Sequence, residues 1–148
     1  MRPLPLLGRT KKSVSVLGVD TNVLIRFLTT DDEVQTPKAT RLLAKPGNHP
    51  IYLSMLVLAE AYNVMTKVKK QPAYAVLESY RLLLRSPALK IERPDLVAAA
   101  IEDASRTKAG FSDALIALQN AEAQCATTAT FDTRAIRLDG MSSVEDYL

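Results

Sequence analysis

Apolar and polar residues follow two periodicities along this chain, one typical of strands and one typical of helices. Short apolar runs that predict buried strands lie at residues 14–20, 51–54, 88–92 and 125–128, with a further strand expected near 144–147. Helical spacing predicts helices at 23–28, 33–45, 55–69, 71–85, 94–106 and 112–124. Because helices separate the strands, we expect a parallel sheet in an α/β sandwich, with functional groups at the carboxyl ends of the strands.

The pattern predicts one domain, at residues 14–148, preceded by a flexible basic tail at residues 1–13. The first 14 residues have no periodicity and carry four of the chain's cations and no acid. The net charge is +3 and this segment contributes +4, so the remaining residues sum to −1. The basic character therefore belongs to the tail, and overall charge alone does not indicate nucleic-acid binding.

Cysteine and hydropathy patterns bear on the compartment of the protein. Cys125 is the only cysteine, so the chain forms no internal disulfide and no thiolate metal cluster, and we expect its side chain to be buried in a strand. No apolar stretch approaches the ~20 residues of a membrane helix, and residues 4–7 are too short for a signal-peptide core. We expect no membrane association and a cytoplasmic location.

Four acidic residues stand where a carboxylate is not expected. Asp20 ends the first apolar run, and Asp132 ends the run that starts at residue 127. Glu60 interrupts an apolar helix face and has no cation three or four residues away. Asp113 lies in the first turn of a helix that is apolar on all sides and should be buried. Since carboxylates are rarely buried without a partner, we expect the fold to gather these acids around a cation.

Asp20 and Glu60 also have structural explanations. Asp20 can cap the helix that follows it, although Thr21 is itself a capable cap. Glu60 could form an ion pair with a cation that is distant in sequence. A catalytic or metal-binding role is the favoured interpretation of Glu60, because its helical neighbours offer no partner.

Asp113 and Asp132 also have structural explanations. Asp113 follows Ser112, which is a good N-cap, and can interact favourably with the helix dipole. Asp132 can form an Asx turn. For Asp132 alone, the structural and the functional interpretation are equally supported.

The shared chemistry of the four acids is oxygen ligation. Mg²⁺ and Mn²⁺ prefer carboxylate and water ligands, and the absence of His-rich or Cys-rich clusters disfavours zinc. One or two such ions would activate a water for attack on a phosphodiester. The residues therefore favour a metal-dependent nuclease in which water is the nucleophile.

Two other functions are compatible with the same residues. The chain could be a catalytically silent module that binds RNA or a protein partner, although binding alone does not require clustered carboxylates. It could also transfer phosphoryl groups with Asp20 as the nucleophile. Such aspartate phosphatases are expected to carry a second Asp two positions on, where this chain has Asn22.

Four segments together resemble a known family, the PIN domain. They are 18–28 (GVDTNVLIRFL), 54–60 (SMLVLAE), 111–117 (FSDALIA) and 130–132 (TFD). More narrowly, the chain is similar to VapC-type toxin ribonucleases of type II toxin–antitoxin systems. This resemblance implies a three-layer α/β/α sandwich with a central parallel sheet, and metal-dependent cleavage of RNA.

The resemblance also implies roles for individual residues and partners. The catalytic, Mg²⁺- or Mn²⁺-binding acids would be Asp20, Glu60, Asp113 and Asp132. Polar groups beside their pocket would be Asn22, Ser54 and Thr130. The family further implies a VapB-type antitoxin that covers the acidic pocket, and frequent homodimerisation.

Substrate binding is less clearly marked in the sequence. Basic residues that could line an RNA path, or form a solvated helix face, are Lys67, Lys69, Lys70, Arg81 and Arg85. Aromatic residues are only 5% of the chain and Trp is absent, so we do not expect a stacking platform for many bases. A helical apolar stripe predicts core or dimer interface at Tyr74, Leu77, Tyr80 and Leu84.

Overall fold

The computed structural model describes residue 15 and residues 17–148, and the statements below concern these residues. The predicted tail at 1–13 lies outside them. The six α-helices are α1 (Thr21–Leu28), α2 (Gln35–Ala44), α3 (Met55–Asn63), α4 (Ala73–Arg85), α5 (Pro94–Thr107) and α6 (Phe111–Glu122). The strands are β1 (Leu17–Gly18), β2 (Ile51–Leu53), β3 (Leu89–Ile91), β4 (Thr128–Thr130) and β5 (Met141–Ser143). A π-helical turn, Val64–Val68, extends α3.

All strand pairs in the described structure are parallel, as the alternation of strands and helices predicts. The strands β1, β2 and β3 pair in that order, and β4 pairs with β5 as a second short sheet. Leu17 lies opposite Ile51, and Leu53 lies opposite Ile91. The predicted α/β/α class is confirmed, and both β1 and β4 run toward an acid two residues beyond their ends.

The hydrophobic core lies mainly between α3, α4, α5 and α6, and residues of α1, β2, β3 and the C-terminal segment add to it. Tyr80 and Phe111 are fully buried at its centre, with ring centroids 5.2 Å apart in an edge-to-face arrangement. The Tyr80 hydroxyl donates a hydrogen bond of 2.6 Å to the Leu58 carbonyl, so its one polar atom is satisfied. Tyr80 and Leu77 are core residues as predicted, whereas Tyr74 of the same stripe is exposed.

Two strand predictions near the C-terminus are wrong. The predicted strand at 125–128 begins only at Thr128, because a turn with Gln124 in the left-handed region follows α6, and Cys125 is exposed there rather than buried. The expected strand near 144–147 is the 3₁₀ helix Val144–Tyr147, where the Ser143 hydroxyl accepts a hydrogen bond from the Glu145 N–H. The last strand lies just before it, at Met141–Ser143.

In the part of the chain that the structure describes, no helix combines the length and the apolar character that a bilayer crossing requires.

Candidate functional site

Asp113 and Asp132 line the same cavity, which has a volume of about 840 Å³. Asp113 lies in the first turn of α6 and is half-buried. Burial raises the pKa of Asp113, the negative charge of Asp132 raises it further, and the charge of Lys67 acts in the opposite direction. Asp113 is therefore a carboxylate whose charge the protein compensates poorly.

Asp132 is exposed, and the backbone stabilises its charge. Its Oδ1 accepts hydrogen bonds from the backbone N–H groups of Arg134 at 2.7 Å and Ala135 at 3.2 Å. These bonds lower the pKa of Asp132, as do the charges of Arg134 and Lys67. The predicted Asx turn is thus present, and the Thr130 hydroxyl reinforces it by accepting a 3.0 Å bond from the Asp132 N–H.

Glu60 is exposed, so the prediction that it lies on a buried face is wrong. Leu56, one turn earlier on α3, is 68% exposed, which shows that this apolar face does not enter the core. The Glu60 carboxylate accepts a 2.5 Å hydrogen bond from the Thr21 hydroxyl. It lines a second cavity, of about 480 Å³, together with Glu92.

Asp20 is the N-cap of α1. Its Oδ1 accepts a hydrogen bond of 3.1 Å from the Val23 N–H, so its structural role is the capping that the sequence offered as an alternative. Thr21 does not cap the helix; it contacts Glu60 instead. The residue after Asp20 therefore joins the start of α1 to Glu60 of α3.

A polar contact between α6 and α3 borders both cavities. The Ser112 hydroxyl donates to the Ala59 carbonyl at 3.0 Å and contacts Asn63 Oδ1 at 3.3 Å, which joins α6 to α3. Ser112 and Asn63 line both cavities. Ser112 is consequently not the cap of α6, and the N-cap position belongs to Gly110.

Gly110 permits the close packing of Asp113. A Cβ at this position would lie 3.3 Å from Asp113 Oδ2 and 3.9 Å from the Tyr62 ring. The φ of Gly110 is −71°, which any residue can adopt, so a side chain here would disturb the position of the carboxylate rather than the backbone conformation.

The structure brings two of the four acids, Asp113 and Asp132, to one cavity, whereas Glu60 lines another. Among residues 15 and 17–148, no three Asp, Glu, His or Cys side chains are close enough to hold a metal ion together. Mg²⁺, however, is commonly bound by one or two carboxylates while water and substrate phosphate complete its shell. The donor set of Asp113 and Asp132 fits this mode of binding, and Asp113 in particular would gain a compensating charge.

The predicted polar neighbours of the site differ in their contacts. Thr130 hydrogen bonds to Asp132, as described above. Asn22 donates to Gln35 of α2 at 3.4 Å, and Ser54 caps α3 by accepting from Val57 N–H at 3.1 Å. Roles for Asn22 and Ser54 beside the acidic pocket stay predictions.

Cations surround the cavity that holds Asp113 and Asp132. They are Lys67, Lys70, Lys108 and Arg134, and none of them forms an ion pair within the described residues. The other three cations proposed from the sequence do not line this cavity: Lys69 binds Asp31 at 2.7 Å, Arg81 binds Glu102 at 3.1 Å, and Arg85 lies on α4.

Lys108 and Arg134 line the cavity but are not among the residues predicted from the sequence. No local pattern marks Lys108, which follows α5 and reaches the cavity only through the packing of α5 against α6. Arg134 could have been predicted, because it lies two residues after the candidate acid Asp132, in its Asx turn.

Comparison with known proteins identifies the family of the chain. The PIN domain family matches residues 18–141, a span that includes all four acids. Among solved structures, the crystal structure of Mycobacterium tuberculosis VapC20, described as a sarcin-ricin loop cleaving toxin, is 21% identical, covers 80% of this chain and 92% of that chain, and has a TM-score of 0.40. A search of curated proteins gave no match. On the strength of the family match, which spans most of its length, the chain belongs to the PIN domain family.

Proposed function

We propose that this protein is a Mg²⁺- or Mn²⁺-dependent endoribonuclease of the VapC type, acting as the toxin of a toxin–antitoxin pair in the cytoplasm. The observation that carries the proposal is the cavity that half-buried Asp113 and exposed Asp132 line together with four cations, none of which forms an ion pair within the described residues. Carboxylates attract a divalent ion, and the cations attract phosphates, so the cavity would suit a phosphodiester together with a divalent ion. Membership of the PIN domain family supports a nuclease.

The two carboxylates would contribute in different ways. Asp132 is kept ionised and fixed in orientation by the backbone N–H groups of its turn. Asp113 is ionised at a greater cost and is positioned by Gly110 and the first turn of α6. When bound, the divalent ion would supply charge stabilisation and an activated water. Lys67 and Arg134, whose charges act on these acids, would bind the substrate phosphates.

Asp20 and Glu60 would complete the acidic surface. Both are exposed, and Thr21, the residue after Asp20, donates a hydrogen bond to Glu60. In our proposal Asp20 and Glu60 would help to hold a divalent ion once RNA is bound. A basic side chain of a VapB-type antitoxin could reach the same acids, because nothing in the described structure covers them. We also propose a homodimer, which the exposed Tyr74 and Leu82 on α4 favour.

Metal-dependent RNA cleavage is the direct test of this function. Purified protein is incubated with a pool of total RNA in Mn²⁺, in Mg²⁺, in EDTA, and in EDTA followed by excess Mn²⁺. We expect cleavage with either metal, loss in EDTA and recovery when the metal is restored. Cleavage that persists in EDTA would exclude the metal mechanism. Binding of RNA without cleavage in either metal would favour the catalytically silent alternative.

A further inference from the structure

We propose that Phe131 stacks against a base of the RNA substrate and thereby positions the nucleotide beside Asp132. The inference rests on the proposed ribonuclease function and adds a substrate-binding residue to it. It also implies that the nucleotide at this position is unpaired, because only a base released from a duplex offers its face to a side chain.

Phe131 is exposed in a way that its packing does not explain. Its side chain is 84% exposed, although it lies between Thr130 and Asp132 and lines the acidic cavity. The aromatic contacts within the described residues join Tyr62 and Tyr80 to Phe111, and none involves Phe131. The residue therefore contributes little to the core and presents its ring at the cavity.

The charges around Phe131 indicate which class of ligand binds at its exposed ring. Four cations line the same cavity, and none forms an ion pair within residues 17–148. An exposed aromatic ring among cations is the combination by which proteins bind single-stranded nucleic acid, with stacking on the base and ion pairs to the phosphates. A purely apolar protein partner would have no use for the cations.

Two of the cations occupy backbone positions that are unusual for lysine. Lys70 has φ +57° and Lys108 has φ +67°, both in the left-handed region. Glycine or asparagine is the common residue at such helix ends, so local conformation does not select lysine here. Binding of phosphates by their ammonium groups gives these side chains a role.

Binding without cleavage is the first experiment. Fluorescence anisotropy in EDTA compares labelled oligoadenylate of about 12 nucleotides, a length near the site size of single-strand binders, with an all-abasic oligomer of the same length. Wild type, Phe131→Ala and Tyr147→Ala are measured with both probes. Tyr147 is a matched control, because it is 61% exposed and lines neither acidic cavity. We expect Phe131→Ala to weaken binding of oligoadenylate about 5- to 100-fold and to leave binding of the abasic oligomer unchanged. Tyr147→Ala should bind both probes as tightly as wild type does.

A tryptophan reporter provides the second experiment. The chain contains no Trp, so Phe131→Trp introduces a single indole at the proposed stacking site. Titration with oligoadenylate should quench its fluorescence, whereas the all-abasic oligomer should not. The indole of the control variant Tyr147→Trp should keep its fluorescence with both probes.

The outcomes separate this inference from the proposed function. Equal affinity of wild type and Phe131→Ala for oligoadenylate, or an unquenched indole in Phe131→Trp, would overturn the stacking role even if the wild type cleaves RNA. An equal loss with both probes would also overturn it, since it would assign Phe131 to backbone binding. If Phe131→Ala removes the base-dependent part of RNA binding, the stacking role of Phe131 is supported even if the wild type does not cleave RNA.

Discussion

At the scale of single residues, Asp113 and Asp132 share a cavity but are stabilised to different degrees. Hydrogen bonds from Arg134 and Ala135 N–H lower the pKa of Asp132. Burial and the neighbouring negative charge raise the pKa of Asp113. Shifted pKa values are enriched at catalytic sites, and for this reason our proposal assigns the catalytic role to these two carboxylates.

Removing the Asp113 charge should stabilise the protein. The raised pKa means that its contribution to stability is fully present below the unfolded-state value of 3.8 and is lost as pH rises through the folded pKa. Asp113→Asn mimics the protonated form, so at pH near 7 its free energy of unfolding in EDTA should exceed that of wild type. The difference should shrink when urea denaturation is repeated below pH 3.8.

Asp139→Asn is the matched control for this prediction. Asp139 is exposed and lines neither acidic cavity. Its substitution should leave the free energy of unfolding within about 0.5 kcal/mol of wild type. An Asp113→Asn protein that is less stable than wild type at neutral pH would show that Asp113 is a structural acid.

At the scale of elements, helices could be predicted more reliably than strands. Each predicted helix is present, because long stretches of helical periodicity and clear caps such as Asp20 specify it locally. The strands are only two or three residues long and are defined by pairing partners that are distant in sequence. For this reason the sequence predicts the last strand near residues 144–147, whereas the structure has it at Met141–Ser143.

The first turn of α6 gives an element-scale prediction for activity. In Gly110→Ala the new Cβ would lie 3.3 Å from Asp113 Oδ2, so the carboxylate must move by a few tenths of an ångström. We expect RNA cleavage to fall on the order of 10-fold, since displacements of about 1 Å can cost about 100-fold in rate. Thermal unfolding should be unchanged or slightly raised, because the φ of −71° suits alanine.

Gly47→Ala is the matched control, because it adds the same methyl group at a glycine away from the cavity. Gly47 lies in the 3₁₀ helix Pro46–Asn48, and a Cβ there would meet no atom within 4 Å. Its cleavage rate should equal that of wild type. If both variants cleave at the wild-type rate, Gly110 does not position Asp113 for the reaction.

At the scale of the whole molecule, the family and the identity of the acids could be predicted, but their arrangement could not. The order of four motifs predicts the PIN domain, which the family match confirms. Glu60 looked buried because its helical neighbours are apolar, yet its face of α3 is exposed. Whether that face packs on another element depends on tertiary structure, and local periodicity carries no such information.

The basic surface at the cavity likewise could not be predicted from the sequence. The body of the chain is close to neutral, so composition gives no sign of a nucleic-acid surface. Folding brings Lys67, Lys108 and Arg134 together from three separate segments at one cavity. The exposure of Phe131 is likewise a property of the folded chain. Candidate acids can be named from a sequence, whereas the surface that binds the substrate must be read from the structure.

The most direct test of the account is the rate of RNA cleavage in Mn²⁺ for wild type, Asp113→Asn and Asp139→Asn, measured at equal protein concentration. Folding of each variant is verified by circular dichroism. We predict that Asp113→Asn loses on the order of 100-fold or more, because even partners outside a metal's ligand shell contribute about 10- to 100-fold. Asp139→Asn should cleave at the wild-type rate. A folded Asp113→Asn protein that cleaves RNA as fast as wild type would contradict the central claim that this acidic cavity is the catalytic centre.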